Sequence, residues 1–224
     1  MIVAVYKEEG LTSRDVVNKI KKITGEKKTG HAGTLDPLAS GVLVIGIGRE
    51  STKKLHTEVF DEKEYLATIK LGEESSTGDR EGERANSFKR NGEPSQKEVD
   101  DVLVKFTGVI KQTPSIYSAV KIKGKEAYKY ARKGKSVDVP EREVVIKSIT
   151  IVSYQYPLLK IKVVTGKGAY IRSLAVDIGK ELCTGGFLLQ LERTRVGGYT
   201  IKDCKDFSFF ENFKKYDNIN NEED

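Results

Sequence analysis

A glycine-rich stretch with a single acidic residue runs directly into an apolar segment near the start of the chain. Residues 30–44 contain the carboxylate of Asp36 and no lysine or arginine. Folding this stretch against the protein would bury a charge, which is unfavourable unless a distant cation approaches it. The run from Val42 to Ile47 is continuously apolar and rich in β-branched residues, which predicts a buried strand. We therefore expect Asp36 to lie in a loop at the edge of a sheet, where catalytic groups are often found.

The same residues admit a plainer interpretation. Asp36 and Pro37 also fit an ordinary turn, because aspartate bonds to nearby backbone and proline fixes the next φ. For an isolated Asp-Pro pair this interpretation is the more common one.

The pattern of apolar residues predicts the fold class. Strands are expected at residues 2–6, 42–47, 64–71, 117–122, 144–152, 158–164 and 187–194, and helices at 13–24, 95–106, 125–133 and 170–182. Thr12 or Ser13 is expected to cap the first helix, Gly25 to end it, and the polar residues 72–92 to form a long surface loop. Strands outnumber helices without regular βαβ alternation. This favours an α+β fold with a mixed, mostly antiparallel sheet flanked by helices.

Composition excludes several classes of protein. The chain has 224 residues, of which 38% are hydrophobic and 32% charged, as in globular proteins rather than disordered or membrane proteins. The formal net charge of +6 permits a polyanionic partner without requiring one. The two cysteines, Cys183 and Cys204, show no CxxC spacing, so we expect neither a metal site nor a redox motif. We expect a cytoplasmic monomer that makes no contact with membranes.

Positive charge is concentrated between residues 111 and 135. This segment carries one acid, Glu126, and eight basic residues: Lys111, Lys121, Lys123, Lys125, Lys129, Arg132, Lys133 and Lys135. Three tyrosines are interleaved with them: Tyr117, Tyr128 and Tyr130. Basic and aromatic side chains together fit RNA binding through phosphate contacts and base stacking, although a solvated lysine surface gives the same pattern.

The segment around Asp36 resembles the signature of the TruB family of pseudouridine synthases. Residues 30–41 fill every fixed position of the pattern G-H-x-G-x-L-D-P-x-A-[ST]-G. Four further stretches match the same family in the same order: Lys63–Asp79, Thr113–Arg132, Gly168–Leu174 and Leu191–Tyr199. The departures are Thr113, where the family often has proline, and the RNA-binding PUA domain, which we expect to be absent. The expected organisation is a catalytic domain at residues 1–204 followed by an acidic tail at 205–224.

The resemblance implies a pseudouridine synthase fold and an RNA uridine isomerase. The implied target is uridine 55 in the T loop of tRNA, flipped out of its stack before reaction. No cofactor is expected, because the isomerisation involves no net redox change. The implied catalytic residues are Asp36 as nucleophile, Tyr65 stacked on the uracil, and Arg172, whose permanent charge would keep the buried aspartate ionised. The implied substrate contacts are His31, Tyr170, Leu191, Lys53, Lys121 and Lys125.

Two other functions are compatible with parts of the sequence. A non-catalytic RNA-binding module would keep the basic segment, but it would have no need for Asp36, Tyr65 and Arg172 together. A nucleotide-binding enzyme would use a glycine-rich phosphate loop. Neither residues 30–41 nor residues 166–168 match GxxxxGK[ST] or GxGxxG.

Overall fold

A computed structural model describes residues 1–57, 61–86, 90, 92–118, 120–122, 124–131 and 137–211. The chain forms two compact units. The first unit combines Met1–Lys63 with Glu192–Asp224, and the second unit is Glu64–Leu191. No helix in the described part of the chain is long and apolar enough to cross a membrane.

The helices and strands follow one another in a mixed order. The first unit begins with β1 (Ile2–Lys7), α1 (Ser13–Thr24), β2 (Thr29–Ala32), β3 (Ala39–Ile47) and α2 (Arg49–Thr57). Next come β4 (Lys63–Leu71), β5 (Glu74–Ser75), β6 (Arg84–Ala85), α3 (Gln96–Lys105), β7 (Gly108–Gln112), β8 (Lys121–Ile122), β9 (Lys125–Glu126), α4 (Ala127–Ala131), β10 (Arg142–Gln155), β11 (Leu158–Thr165) and α5 (Ile171–Glu181). The chain ends with β12 (Gly186–Val196), β13 (Tyr199–Thr200), a 3-10 turn at Ile201–Asp203 and a helical turn at residues 207–211.

In the first unit, α1 forms as its sequence predicts. Thr12 caps the helix, and Asp15 completes a reciprocal capping box. Gly25 ends the helix with a φ of 76°, a left-handed conformation that suits glycine. The helix buries Val16, Val17 and Ile20 against residues of β1 and β3.

The hairpin formed by β2 and β3 positions the Asp36 loop. Strand β3 pairs antiparallel with β1 and with β2, and Thr29 lies opposite Ile47. Residues 29–32 are therefore strand rather than loop, and β3 begins at Ala39, before the expected Val42. The Asp36 loop is thus only residues 33–38, and strands anchor it at both ends.

The end of the described chain packs on the same core. Lys205 forms a parallel bridge with Val5, and Phe210 is fully buried against β1 and α1. Phe207 packs beside it, as its apolar character predicts. Residues 212–224, the larger part of the expected acidic tail, lie outside the described residues.

The second unit contains residues 186–191 of β12 together with β4, β11, β10 and β7, which neighbour one another in that order. Strand β4 alternates as predicted, because Tyr65, Ala67, Ile69 and Leu71 are buried and the residues between them are not. Strands β10 and β11 pair antiparallel, and so do β10 and β7. These pairings are antiparallel, as are those of β3 with β1 and β2, and the expected α+β class is confirmed.

Two local expectations for this unit are wrong. Residues 72–92 are more than a surface loop, because β5 and β6 form a short hairpin and Gly78 and Asp79 are buried. Strand β8 begins at Lys121, whereas a strand was expected from Tyr117. A turn precedes it, since the amide of Ser118 donates to the carbonyl of Ser115.

A third expectation, for the segment that follows β8, is also wrong. The expected helix at 125–133 begins only at Ala127, because Lys125–Glu126 pair with β8 as β9. Residues 132–136, which include three of the basic residues, lie outside the described part of the chain.

Gly41 provides a test of how tightly β3 packs on β12. It has a φ of +111°, and an added Cβ would lie 2.2 Å from the carbonyl oxygen of Arg193. Gly48 also has a positive φ, +89°, but an added Cβ there meets nothing within 4 Å. We expect Gly48→Ala to lower the free energy of unfolding by about 1–2 kcal/mol, and Gly41→Ala by at least about 2 kcal/mol more because of the clash. Urea unfolding of both variants measures the difference, and equal losses would contradict the packing.

Candidate active site

The Asp36 loop is held by hydrogen bonds on both sides of the aspartate. The hydroxyl of Ser13 donates to the carbonyl of Leu35 at 3.1 Å, and the amide of Leu35 donates to Ser13 Oγ at 2.9 Å. On the other side, the amide of Gly10 donates to the carbonyl of Pro37 at 2.8 Å. Asp36 itself is half-buried, and its carbonyl accepts from the amide of Ala39 at 3.0 Å. These bonds fix the backbone that carries the carboxylate.

A buried lysine reinforces this arrangement from β1. Lys7 is fully buried, and its ammonium donates to the carbonyls of Leu11 at 2.6 Å and Glu8 at 3.0 Å, with Pro37 at 3.5 Å. Burial lowers the pKa of Lys7 to about 8, while the Asp36 carboxylate raises it. Lys7 and Asp36 therefore interact electrostatically within the first unit.

A buried arginine clamps the loop from β12. Arg193 is 1% exposed, and it is the largest fully buried side chain in the described part of the protein. Its Nε donates to the carbonyl of Val42 at 2.8 Å, and its Nη2 donates to the carbonyl of Gly33 at 3.0 Å. One planar guanidinium thus joins the first residue of the Asp36 loop to the strand that follows the loop.

Two expected substrate contacts of the first unit lie in different settings. His31 lies on β2 and is half-buried. Burial lowers its pKa, and the positive charges of Arg193 and Arg14 lower it further. Its Nδ1 is buried without a hydrogen-bond partner among the described residues. Lys53 is exposed on α2, where it forms an ion pair with Glu50 at 3.5 Å.

In the second unit, Arg172 is anchored by a residue that the sequence analysis did not single out. Its Nε lies 3.1 Å from Oδ2 of Asp79, and both side chains are almost completely buried. The other carboxylate oxygen of Asp79 accepts from the Thr77 hydroxyl at 2.6 Å and from the amide of Glu81 at 3.0 Å. The carboxylate therefore fixes the direction of the Arg172 side chain at the start of α5.

Gln112 fixes the backbone just before Arg172. This side chain is 1% exposed; its Oε1 accepts from the amide of Tyr170 at 3.0 Å, and its Nε2 donates to the carbonyl of Tyr170 at 3.2 Å. Tyr170 is the N-cap residue of α5 and is half-buried. The side-chain amide of Gln112 thus fixes the backbone of the residue at which α5 begins.

The remaining expected residues lie on strands of the second unit. Tyr65 is 6% exposed on β4, and Leu191 is half-buried on β12. Lys121 and Lys125 are exposed on the β8–β9 hairpin. The structure thus brings Arg172, Tyr170 and their anchors together in one unit, and Asp36 and His31 together in the other. The pairing of Asp36 with Arg172 joins residues of different units and stays a prediction.

The described residues contain no group of three or more His, Cys, Asp or Glu side chains placed to hold a metal ion. The ionisable groups around Asp36 and Arg172 are instead arginines, a lysine and single carboxylates. Of these groups, a carboxylate can act as a nucleophile or as a base.

Comparison with known sequences identifies the family. The sequence profile described as "TruB family pseudouridylate synthase (N terminal domain)" matches residues 21–171. The chain belongs to this family. The tRNA pseudouridine synthase B of Francisella philomiragia is 43% identical over 93% of this chain and 70% of its own length. The enzyme of Francisella tularensis subsp. novicida is 40% identical over 97% of this chain and 74% of its own length.

Solved structures agree with the TruB assignment. A chain of a Cbf5–Nop10–Gar1 complex superposes with a TM-score of 0.68 at 28% identity, over 89% of this chain and 49% of that chain. A chain of an H/ACA RNP bound to a substrate RNA containing 2′-deoxyuridine gives a TM-score of 0.64 at 26% identity, over 89% and 48%. This chain thus spans about half the length of those structures. The expected pseudouridine synthase fold is confirmed, and the protein is a pseudouridine synthase.

Four residues of this TruB-family site were missed by sequence reasoning: Lys7, Asp79, Gln112 and Arg193. Asp79 and Arg193 lie inside segments that match the family pattern, so a signal for them was present. Lys7 and Gln112 carry no such signal, because a lysine after a strand and a glutamine before a loop are common at surfaces.

His31 provides a test of the electrostatics around the Asp36 loop. Because burial and two arginines disfavour its charged form, we expect its imidazole to titrate below pH 6.5 in the folded protein. The unfolded chain then binds more protons below that pH, so the free energy of unfolding falls as the pH decreases. The chain has two histidines, and His31→Gln assigns the ring signals in an NMR titration. A midpoint at or above 6.5 would contradict this account.

Proposed function

We propose that this protein converts uridine 55 in the T loop of tRNA to pseudouridine, with Asp36 as the nucleophile. The observation that carries the proposal is the identity of 40–43% with enzymes named tRNA pseudouridine synthase B, over nearly the whole chain. The Asp36 loop supports it, because a carboxylate on a rigid backbone is suited to attack a fixed carbon atom.

The chemistry requires one bond to break and another to form at the same sugar carbon. The Asp36 carboxylate attacks C1′ of the flipped uridine, and the C1′–N1 bond breaks as uracil leaves with the electron pair. The uracil rotates, C5 attacks C1′, and the carboxylate departs. C5 then loses its proton while N1 gains one, so the product is an isomer of the substrate. No electrons are gained or lost overall.

The other proposed residues hold the detached base and balance charge. Tyr65 stacks on the uracil beside C5 from its buried position on β4, and Tyr170 and Leu191 line the same site. Arg172, fixed by Asp79, supplies the permanent positive charge that favours the carboxylate form of Asp36. Neutral His31 is suited to stack against nucleotides displaced by base flipping, since an uncharged ring loses less on leaving water.

Three exposed lysines, one in the first unit and two in the second, are proposed to hold the RNA backbone. Lys53, Lys121 and Lys125 are exposed and contribute positive charge for phosphate contacts. Such contacts carry little sequence information. The choice of uridine therefore depends on the shape of the loop and on the flipped base.

Asp36→Asn is the decisive variant. We expect it to lower the rate of pseudouridine formation by at least about a thousandfold, because an amide is not a nucleophile toward C1′. The dissociation constant for tRNA should change by less than about twofold. Purified protein acts on an unmodified tRNA transcript, and carbodiimide adducts mapped by reverse-transcription stops report each pseudouridine.

The matched control is Asp101→Asn, which removes an exposed carboxylate on α3. This control should give the same single stop as the unmodified protein, at uridine 55. Stops at other uridines would overturn the proposed target, and an active Asp36→Asn would overturn the nucleophile. An inactive unmodified protein that still binds tRNA would indicate an RNA-binding module instead.

A further inference from the structure

The second unit contains an open cavity of about 650 Å³ beside α5. Residues 75–78, the end of α3, and β7 with residues 113–115 form its other walls. We call it the α5 cavity. Its volume lies within the range of cavities that hold small ligands such as a nucleotide. Arg172 lines it, so the cavity borders the part of the proposed active site that belongs to the second unit.

Two lysines bring unpaired positive charge to the α5 cavity. Lys111 on β7 and Lys180 in the last turn of α5 are exposed, and neither forms an ion pair with another described residue. By contrast, the neighbouring Glu181 is paired with Lys105. Two exposed ammonium groups at one cavity suit a phosphate group, because lysines bind phosphate oxygens as point charges.

One carboxylate of the cavity has no hydrogen-bond partner among the described residues. Asp177 is half-buried on α5, one helical turn before Lys180, and the exposed Glu141 also lines the cavity. Burial raises the pKa of Asp177, Lys180 lowers it, and Glu141 raises it. An ionised carboxylate only accepts hydrogen bonds, so its ligand must offer N–H or O–H donors. Guanine offers two N–H donors side by side on its Watson–Crick edge.

The walls of the cavity are preformed and include an aromatic ring. The Ser173 hydroxyl donates to the carbonyl of Thr113 at 2.9 Å, which ties α5 to the segment after β7. Thr77 is held by Asp79, the same carboxylate that anchors Arg172. Phe106 is half-buried at the end of α3 and offers a surface on which a base can stack.

We propose that the α5 cavity binds one nucleotide of the RNA substrate other than the target uridine. Lys111 and Lys180 contact its phosphate, Asp177 accepts from the Watson–Crick edge of its base, and guanine fits that edge best. This inference rests on the proposed function, since it takes RNA as the substrate. It assigns to the second unit a specificity site beside Arg172.

The test compares a cavity variant with a charge-matched control. The cavity variant is Lys111→Met with Lys180→Met. The control is Lys97→Met with Lys162→Met, which removes two exposed lysines of the same unit outside the cavity. The dissociation constant and KM are measured with an unmodified stem-loop RNA of the tRNA T arm over a range of salt concentrations. We expect the cavity variant to raise both constants at least about tenfold and to leave kcat within about twofold. Because the two lysines contact one phosphate, the salt slope should flatten by about 0.7.

A second arm tests the base contact. Inosine lacks the exocyclic amino group, so replacing one guanosine of the stem-loop at a time should weaken binding at a single position. That loss should be absent in Asp177→Asn. Equal effects of the two lysine pairs, or no effect of the cavity pair, would overturn the cavity site. Inosine effects that persist in Asp177→Asn would overturn the base contact. Binding is measured independently of turnover. An inactive unmodified protein would therefore overturn the proposed function, while the dissociation constants alone would still decide whether the α5 cavity binds RNA.

Discussion

The first unit depends on a guanidinium that has almost no contact with water. Arg193 is 1% exposed, and taking such a charge out of water costs several kcal/mol. Its bonds to the carbonyls of Val42 and Gly33 offset part of that cost, and they also connect both flanks of the Asp36 loop. Lys7 repeats the arrangement from β1 through the carbonyls of Leu11 and Pro37. Buried cations bonded to backbone carbonyls give the loop a single geometry, which is what an in-line attack on a fixed carbon requires.

In the second unit, buried partners orient the cation that is proposed to contact the reacting groups. Arg172 is held through its Nε by Asp79, and Asp79 is in turn held by Thr77. Gln112 fixes the backbone at Tyr170, just before Arg172. In both units the candidate catalytic group is oriented by partners that are themselves deeply buried. Such support lowers the reorganisation needed when charge moves during the reaction.

Elements with a strong local pattern were predictable. Helix α1 has both a capping residue and a terminal glycine, and β4 alternates over its whole length. Strand β2 was missed because four residues that include a glycine and a histidine carry no period, and the strand exists only by pairing with β3. Helix α2 has no counterpart among the expectations from sequence, since its residues are mostly polar. In such segments, contacts with distant parts of the chain determine whether a strand or a helix forms.

In the candidate site, too, some residues were predictable from the sequence and others were not. Asp36, Tyr65 and Arg172 were identified through the family pattern, but their supports depend on contacts between distant parts of the chain. Asp79 lies in a polar segment that predicts solvent exposure. Its burial is explained by its pairing with Arg172 and by the hydrogen bonds it accepts from Thr77 and Glu81. Arg193 similarly becomes a core residue because the carbonyls of two other segments accept its hydrogen bonds. Burial of a charge cannot be inferred without its partners.

Arg193 holds the backbone that carries the Asp36 carboxylate, and single-turnover kinetics of Arg193→Lys measures what this contributes to the reaction. Lysine keeps the charge but cannot bond both carbonyls as the planar fork does. Arg195→Lys is the control, since Arg195 is a neighbour on β12 that is only half-buried and pairs with Glu62. With both variants folded at the assay temperature, we expect Arg193→Lys to lower the rate constant for pseudouridine formation by about a hundredfold. Arg195→Lys should stay within about twofold of the unmodified protein. Equal rate constants for the two variants would show that Arg193 does not position Asp36 for the reaction.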